Sequence, residues 1–297
     1  MRLRATSMRI TGFGQQAPVV SPFAGASAVY SLRVPAGGNW SGPLVNVRRD
    51  SDGAVAPIYP LSTPDANGNR WLNQAQILAH CGSGSGFVSY LYDISGNNRH
   101  VNIPNSANQH MLVNNGVYLG RLTQNATNSS TMSLPLGPFT DVSPFTLITG
   151  LGGWVAPTTA FANLDTFFRI NTIVGARYWI GFDRTGRFTT RSPGNNQLWG
   201  VDFAPGTPFI YSLTKSAVAN LNGFTRYINR NAGIVAPVSA VAAFTVANMD
   251  MGLIGTAGTA SGVGNPSDIV FYNSVLPLAD IRAIEQNIAT AYGITVA

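Results

Sequence analysis

The side chains able to do chemistry in this 297-residue chain are few and unevenly chosen. Eleven aspartates and a single glutamate, Glu285, stand against 17 arginines and one lysine, Lys215. A mechanism that needs two glutamates is therefore excluded. Asp50-Ser51-Asp52-Gly53 has the opening of a calcium loop but lacks the glutamate that closes one, so a hairpin turn is the expected reading. His80, His100 and His110 show no HxH or HxxxH pairing, and Cys81 has no second cysteine to share a disulfide or a zinc ion. No metal site and no cofactor are expected. No Gly-x-Ser-x-Gly elbow marks a serine nucleophile, because the glycines around Ser85 read as a turn before a strand. The richest pattern pairs indole rings with amides. Trp40, Trp154, Trp179 and Trp199 lie in or beside turn-rich stretches, and Trp199 follows Pro193-Gly194-Asn195-Asn196-Gln197, read as a loop. Aromatic faces cover the apolar side of a sugar while amides bond its hydroxyls. Trp199, Asn195, Asn196, Trp154 and Trp179 are thus the glycan-binding candidates, with core or interface packing as the competing reading.

Those residues need a scaffold, and the pattern around them is one of short strands between turns. Leu44–Arg49 runs into the Asp-Gly turn at 52–53, and Phe87–Tyr92 runs into the polar cluster 93–98. Further strand-like runs are 145–149, 167–173, 177–182, 188–190, 209–213, 223–228, 251–254 and 269–272, with hairpin turns expected at 183–186 and 229–233. Many short strands of this kind indicate a sandwich or barrel. Two segments differ. Residues 73–79 are helix-compatible, and Leu278, Ile281, Ile284, Ile288 and Tyr292 recur at helical spacing between Pro277 and Gly293. This predicts a C-terminal amphipathic helix lying on the sandwich.

Composition bounds the setting. Apolar residues make up 45%, enough for a sizeable core, but charged residues only 10%, against about 25% in an average soluble domain. A chain so poor in charge is expected outside the cytosol or within a larger assembly. Arginine suits interfaces better than lysine, although base composition of the gene explains the ratio equally well. The net charge of +6 is scattered, with clustering only at Arg2, Arg4 and Arg9 and at Arg48–Arg49, so direct nucleic-acid binding is not expected. Residues 1–24 are basic and rich in Gly, Gln and Pro without periodicity. They are read as a docking arm, not a secretion signal, and residues 25–297 as one domain. No apolar run reaches the length of a membrane helix.

Three stretches together carry a family likeness. They are Ala28-Val29-Tyr30-Ser31-Leu32-Arg33, Ser41-Gly42-Pro43-Leu44-Val45-Asn46-Val47-Arg48-Arg49-Asp50-Ser51-Asp52-Gly53, and Tyr92-Asp93-Ile94-Ser95-Gly96-Asn97-Asn98-Arg99-His100. In order and chemistry they resemble the catalytic domain of the α-L-arabinofuranosidase B family. Ser267-Asp268-Ile269-Val270-Phe271-Tyr272-Asn273 is similar to the ending of concanavalin A-like (LamG-type) jelly rolls. The resemblance implies an all-β fold: a two-sheet concanavalin A-like jelly-roll sandwich with an N-terminal arm and one C-terminal amphipathic helix. The family's nucleophile is a glutamate in mid-domain, where this chain has none, and Leu253–Ser261 lacks the family's acid/base aspartate. Both catalytic positions are read as empty, and the chain as not an enzyme.

The sequence style also resembles tailed-phage virion proteins. The leading expectation is a non-catalytic structural protein of the virion, a capsid decoration or cement-type component. It is made in the host cytoplasm, released by lysis and held as a homo-oligomer on major capsid or tail proteins. Arg2, Arg4 and Arg9 would pair with carboxylates or carbonyls of a neighbour. The alternatives are a tail-associated lectin-like protein that binds a receptor or host surface glycan, and a glycosidase with relocated carboxylates among Asp165, Asp183, Asp202 and Asp250.

Overall fold

The computed structural model describes residues 22–123, 131–137, 139–140, 143–152, 165–172, 177–182, 187–192, 195–202, 207–217, 223–230, 234–235, 245–254 and 265–296. Arg2, Arg4, Arg9, Trp154 and Asp183, and nearly all of the expected arm, lie outside the described residues.

Strands dominate, and every pairing is antiparallel. One sheet runs β1 (Ala28–Tyr30), β21 (Asn265–Tyr272), β12 (Phe145–Gly152), β17 (Phe209–Lys215), β18 (Phe224–Ile228) and β19 (Ile234–Val235). A second runs β10 (Thr131–Leu134), β20 (Thr245–Ile254), β13 (Asp165–Thr172), β14 (Arg177–Phe182), β15 (Arg187–Ser192) and β16 (Asn195–Asp202), with β11 (Phe139–Thr140) also on β20. Antiparallel sheets of this kind build an all-β sandwich. Residues 45–123 add another sheet, in the order β4 (Val55–Ile58), β3 (Val45–Arg49), β6 (Gly86–Leu91), β8 (His110–Asn114) and β9 (Val117–Thr123), with β7 (Val101–Asn102) on β6. A short ladder joins β2 (Arg33–Val34) to β5 (Arg70–Trp71).

Burial follows from how many sides of each strand are covered. Phe145–Leu151 of β12 and all of β17 are buried, although alternate residues face opposite ways. The helix α2 (Leu278–Tyr292) packs on both strands and covers one side. Gly150 permits the approach: a Cβ there would lie 2.9 Å from Ile288 Cγ2. Ile281, Ile284 and Ile288 are buried as their spacing predicts, and Gly293 closes the helix in the left-handed conformation at φ 65°. Leu278 differs: it is 50% exposed, at the first position of the helix. The expected short helix is α1 (Gln74–Cys81), capped by Asn73, whose side chain accepts from the Gln76 N–H at 3.0 Å.

One cluster of buried apolar residues draws on every large sheet, from Val47, Val88 and Leu112 through Leu147 and Val270 to Met132, Leu134 and Met249. No helix among the described residues is long and apolar enough to cross a membrane.

Candidate functional site

The stretches that carry the family likeness converge in space, and their polar groups are spent on holding the chain together. Asp93 is fully buried. Its Oδ1 accepts from the backbone N–H groups of Val29 and Ser95, both at 2.9 Å, and its Oδ2 from that of Arg99 at 3.0 Å. His100 Nδ1 accepts from the Asp93 N–H, Tyr30 donates its hydroxyl to the Arg99 carbonyl at 2.6 Å, and Asn97 donates to the carbonyls of Ala26 and Ser27. Burial and the neighbouring Asp93 push the Tyr30 hydroxyl far above its ordinary pKa. These bonds all answer backbone groups, so the motif pins β1 to the loop after β6.

Arg33 and Asp268 form a second buried joint. Arg33 Nη2 lies 2.6 Å from Asp268 Oδ2 and Nε 3.1 Å from the same oxygen, with both side chains at 0% exposure. Asp268 Oδ1 also accepts from the hydroxyls of Ser31 and Tyr292, and Arg33 donates to Asn69 and Asn287. Burial alone would lower the Arg33 pKa, but Asp268 and Tyr292 more than offset it and the group stays charged. The network ties β2, β21 and α2 to the turn before β5.

The other singled-out groups are also structural. Arg49 grips Asp52 at 2.6 Å, and Asp52 Oδ1 accepts from the Ala54 N–H, making Asp50–Gly53 a hairpin turn between β3 and β4. His80 Nε2 is 3.0 Å from the Val47 carbonyl, and His110 is buried inside β8. Among the described residues no three His, Cys, Asp or Glu groups could hold a metal ion. Cys81 is a buried core thiol whose pKa burial raises. Trp40 is half-buried and donates its indole N–H to the Pro43 carbonyl at 3.1 Å.

In the seven-stranded sheet the backbone register sets which residues are neighbours. Along β10, Met132 and Leu134 are buried while Ser133 between them is exposed, which fixes the face that meets the core. Residues paired in register share a face. By backbone register, Met132 lines up with Met251, Phe168 and Ile180, and Leu134 with Met249, Ile170 and Tyr178. Ser133 lines up with Asp250, Arg169, Trp179, Arg191 and Asn196, one position on each of six strands. Beside it runs a second polar row, Asn248, Asn171 and Arg177.

This placement sorts the expected residues. Trp179 and Asn196 fall in one row. Asn195 and Asn196 are not in a loop: they open β16, paired with Ser192 and Arg191 of β15. Trp199 lies further along that strand, beside the register irregularity between β15 and β16. Among the described residues, the candidate carboxylates Asp250 and Asp202 do not pair, and Asp183 lies outside them. Asp250 and Asp202 sit on β20 and β16, four strand intervals or roughly 19 Å apart at about 4.8 Å each. A glycosidase pair stands about 5–10 Å apart. Asp165 pairs with Phe182 at the far end of β13. Arg169, Arg177 and Arg191 were not anticipated as neighbours of Trp179, because the pairing of β13, β14 and β15 is not written in any one segment.

No family model and no curated protein matches this sequence. Solved structures do. A GH54 α-L-arabinofuranosidase soaked with a cyclic sulfate inhibitor matches at a TM-score of 0.63 and 13% identity, over 90% of this chain and 63% of that one. An arabinofuranosidase complexed with arabinofuranosyl-alpha-1,2-xylobiose matches at 0.60 and 14% identity, over 90% of this chain and 62% of that one. This chain thus spans less than two thirds of those proteins' length, and at such identity the likeness is one of fold. The jelly-roll expectation agrees with it. The expectation of a chain that is not an enzyme is corrected by it: the solved structures that share this architecture are glycoside hydrolases, and an empty motif position in the sequence does not outweigh that.

Proposed function

We propose that this chain is a carbohydrate-active protein that lays a glycan across the outer face of its seven-stranded sheet. The observation that carries the reading is the register row of Trp179 between Arg169 and Arg191, continued by Asn196 and Asp250. It combines a ring that can cover a sugar with amide, guanidinium and carboxylate groups that bond hydroxyls. The glycoside hydrolases of similar fold support the sugar as ligand class, and their printed ligands make arabinofuranosides the first to try.

Two assays test this. The full chain is screened on a glycan array and titrated with the best ligand, and it is assayed against 4-nitrophenyl α-L-arabinofuranoside. Trp179→Ala is expected to weaken binding by roughly tenfold or more, the 1.4 kcal/mol scale of one stacked ring. Trp199→Ala is expected to have a smaller effect. A chain that binds no glycan and turns over no glycoside overturns the reading.

Glycan recognition fits a tail-associated place on a phage particle better than a capsid cement. That place, with virion proteins as partners and a host surface glycan as ligand, rests on the sequence resemblance. Quantitative mass spectrometry of purified particles, scaled to the major capsid protein, tests it.

A further inference from the structure

We infer that a cavity between the loop after β6 and the ends of β12 and β21 binds a small organic monocarboxylate with an apolar body, its carboxylate held by Arg99. The site is built from other elements than the proposed glycan-binding face and does not depend on it.

The cavity holds about 380 Å³, at the small end of the range for ligand pockets, roughly 300–1,000 Å³. Its lining includes Arg99, Leu136 just beyond β10, Ser143 and Phe145 where the chain enters β12, and Phe271 and Asn273 at the end of β21. Leu136, Phe145 and Phe271 are buried, with the two phenyl centroids 5.6 Å apart. Arg99 and Ser143 are half-buried, and Asn273 is exposed. The interior is therefore apolar, and the polar groups stand towards the mouth. Arg99 is fixed from both sides. Its backbone N–H donates to the buried Asp93 Oδ2 at 3.0 Å, and its carbonyl accepts from the buried Tyr30 hydroxyl at 2.6 Å. Its Nη1 donates to the Leu136 carbonyl at 3.3 Å, which sets the guanidinium against the cavity wall. No carboxylate lines the cavity, and among the described residues none forms an ion pair with Arg99. Asp93, six residues earlier, spends its oxygens on three backbone N–H groups.

A guanidinium at the mouth of an apolar cavity selects its ligand twice. Its planar fork and permanent charge match a carboxylate, and the side-chain amide of Asn273 adds a donor beside it. Behind that head, Leu136 and the two phenylalanines favour a phenyl or branched aliphatic body. A sugar carries hydroxyls all round its ring, and in this interior several of them would be buried without partners. An inorganic anion would leave the apolar part of the cavity unfilled. The combination favours an amphipathic acid over either.

The test titrates the full chain with 3-phenylpropionate and with its neutral amide, 3-phenylpropionamide, by calorimetry and ligand-observed NMR, with galacturonate and inorganic phosphate run beside them. 3-Phenylpropionate is expected to bind with a dissociation constant on the order of 1 mM or below, as suits a ligand of its size. It is expected to bind at least about fivefold more tightly than the amide. Arg99→Gln is expected to lose roughly tenfold for the acid and little for the amide, and Arg99→Lys to keep part of the affinity. Arg121→Gln, at an exposed position of β9, serves as the charge control and is expected to bind as wild type. Circular dichroism establishes that each variant is folded, and the comparison of acid with amide needs no variant at all. Equal affinity for acid and amide overturns the inference, as does binding of neither. Tighter binding of galacturonate overturns it in favour of a sugar acid, and tighter binding of phosphate in favour of a generic anion site. Unchanged binding by folded Arg99→Gln overturns it by placing the ligand elsewhere. None of these outcomes touches the glycan reading, which the array and the glycoside assay decide.

Discussion

His110 shows how a single residue couples this fold to pH. It is fully buried in β8, and burial depresses its pKa from 6.5 to about 4. The unfolded chain therefore takes up a proton at higher pH than the folded one. Stability is complete above about pH 6.5, falls as the pH drops through the window down to about 4, and then levels. The cost across that window is on the order of 3 kcal/mol. His100, lowered by its own burial against the opposing pull of Asp93, acts in the same direction. Urea denaturation at pH 7 and pH 4.5 checks this: His110→Leu is expected to lose much of the wild-type difference between the two, and an unchanged difference would sink the assignment. Residues of this kind were only half legible. The sequence shows that His110 lacks a partner at metal-ligand spacing, but its burial depends on strands β6 and β9 closing around β8.

At the scale of elements, the joints matter more than the strands. The strands themselves were visible in their apolar runs, and so was α2, down to the glycine that stops it. The hairpin of β8 and β9 was missed despite Asn115-Gly116, both at positive φ, which is the strongest short signal for a tight turn. What alternation cannot show is which strand meets which across the sandwich. Arg33 and Asp268 are 235 residues apart, yet they form the buried pair that locks β2 and β21 beneath α2. Replacing Asp268 with Asn leaves a guanidinium buried without its counter-charge. The expected loss is about 3–5 kcal/mol, read as a lower urea midpoint with an unchanged slope. A shift of a few tenths of a kcal/mol would mean that the joint is solvated and not structural.

Over the whole molecule, one core cluster unites the three large sheets, so the described body is expected to unfold in a single cooperative step. Calorimetry with near-UV and far-UV circular dichroism would register coincident transitions, and two separate ones would show that the sheet of β3, β6 and β8 is an independent unit. Composition and periodicity by themselves determined an all-β sandwich or barrel with a helix laid on it, because the period of apolar residues is a local property of each segment; the family resemblance implied the sandwich. They also marked Trp179 and Asn196 as sugar-suited. Only the tertiary structure decided that these two share a row with Asp250, Arg169 and Arg191, and that the motif aspartates Asp93 and Asp268 are spent on internal bonds. The reason is register: alternation is local, but which residues share a row across six strands depends on pairings between segments from 74 to 121 positions apart.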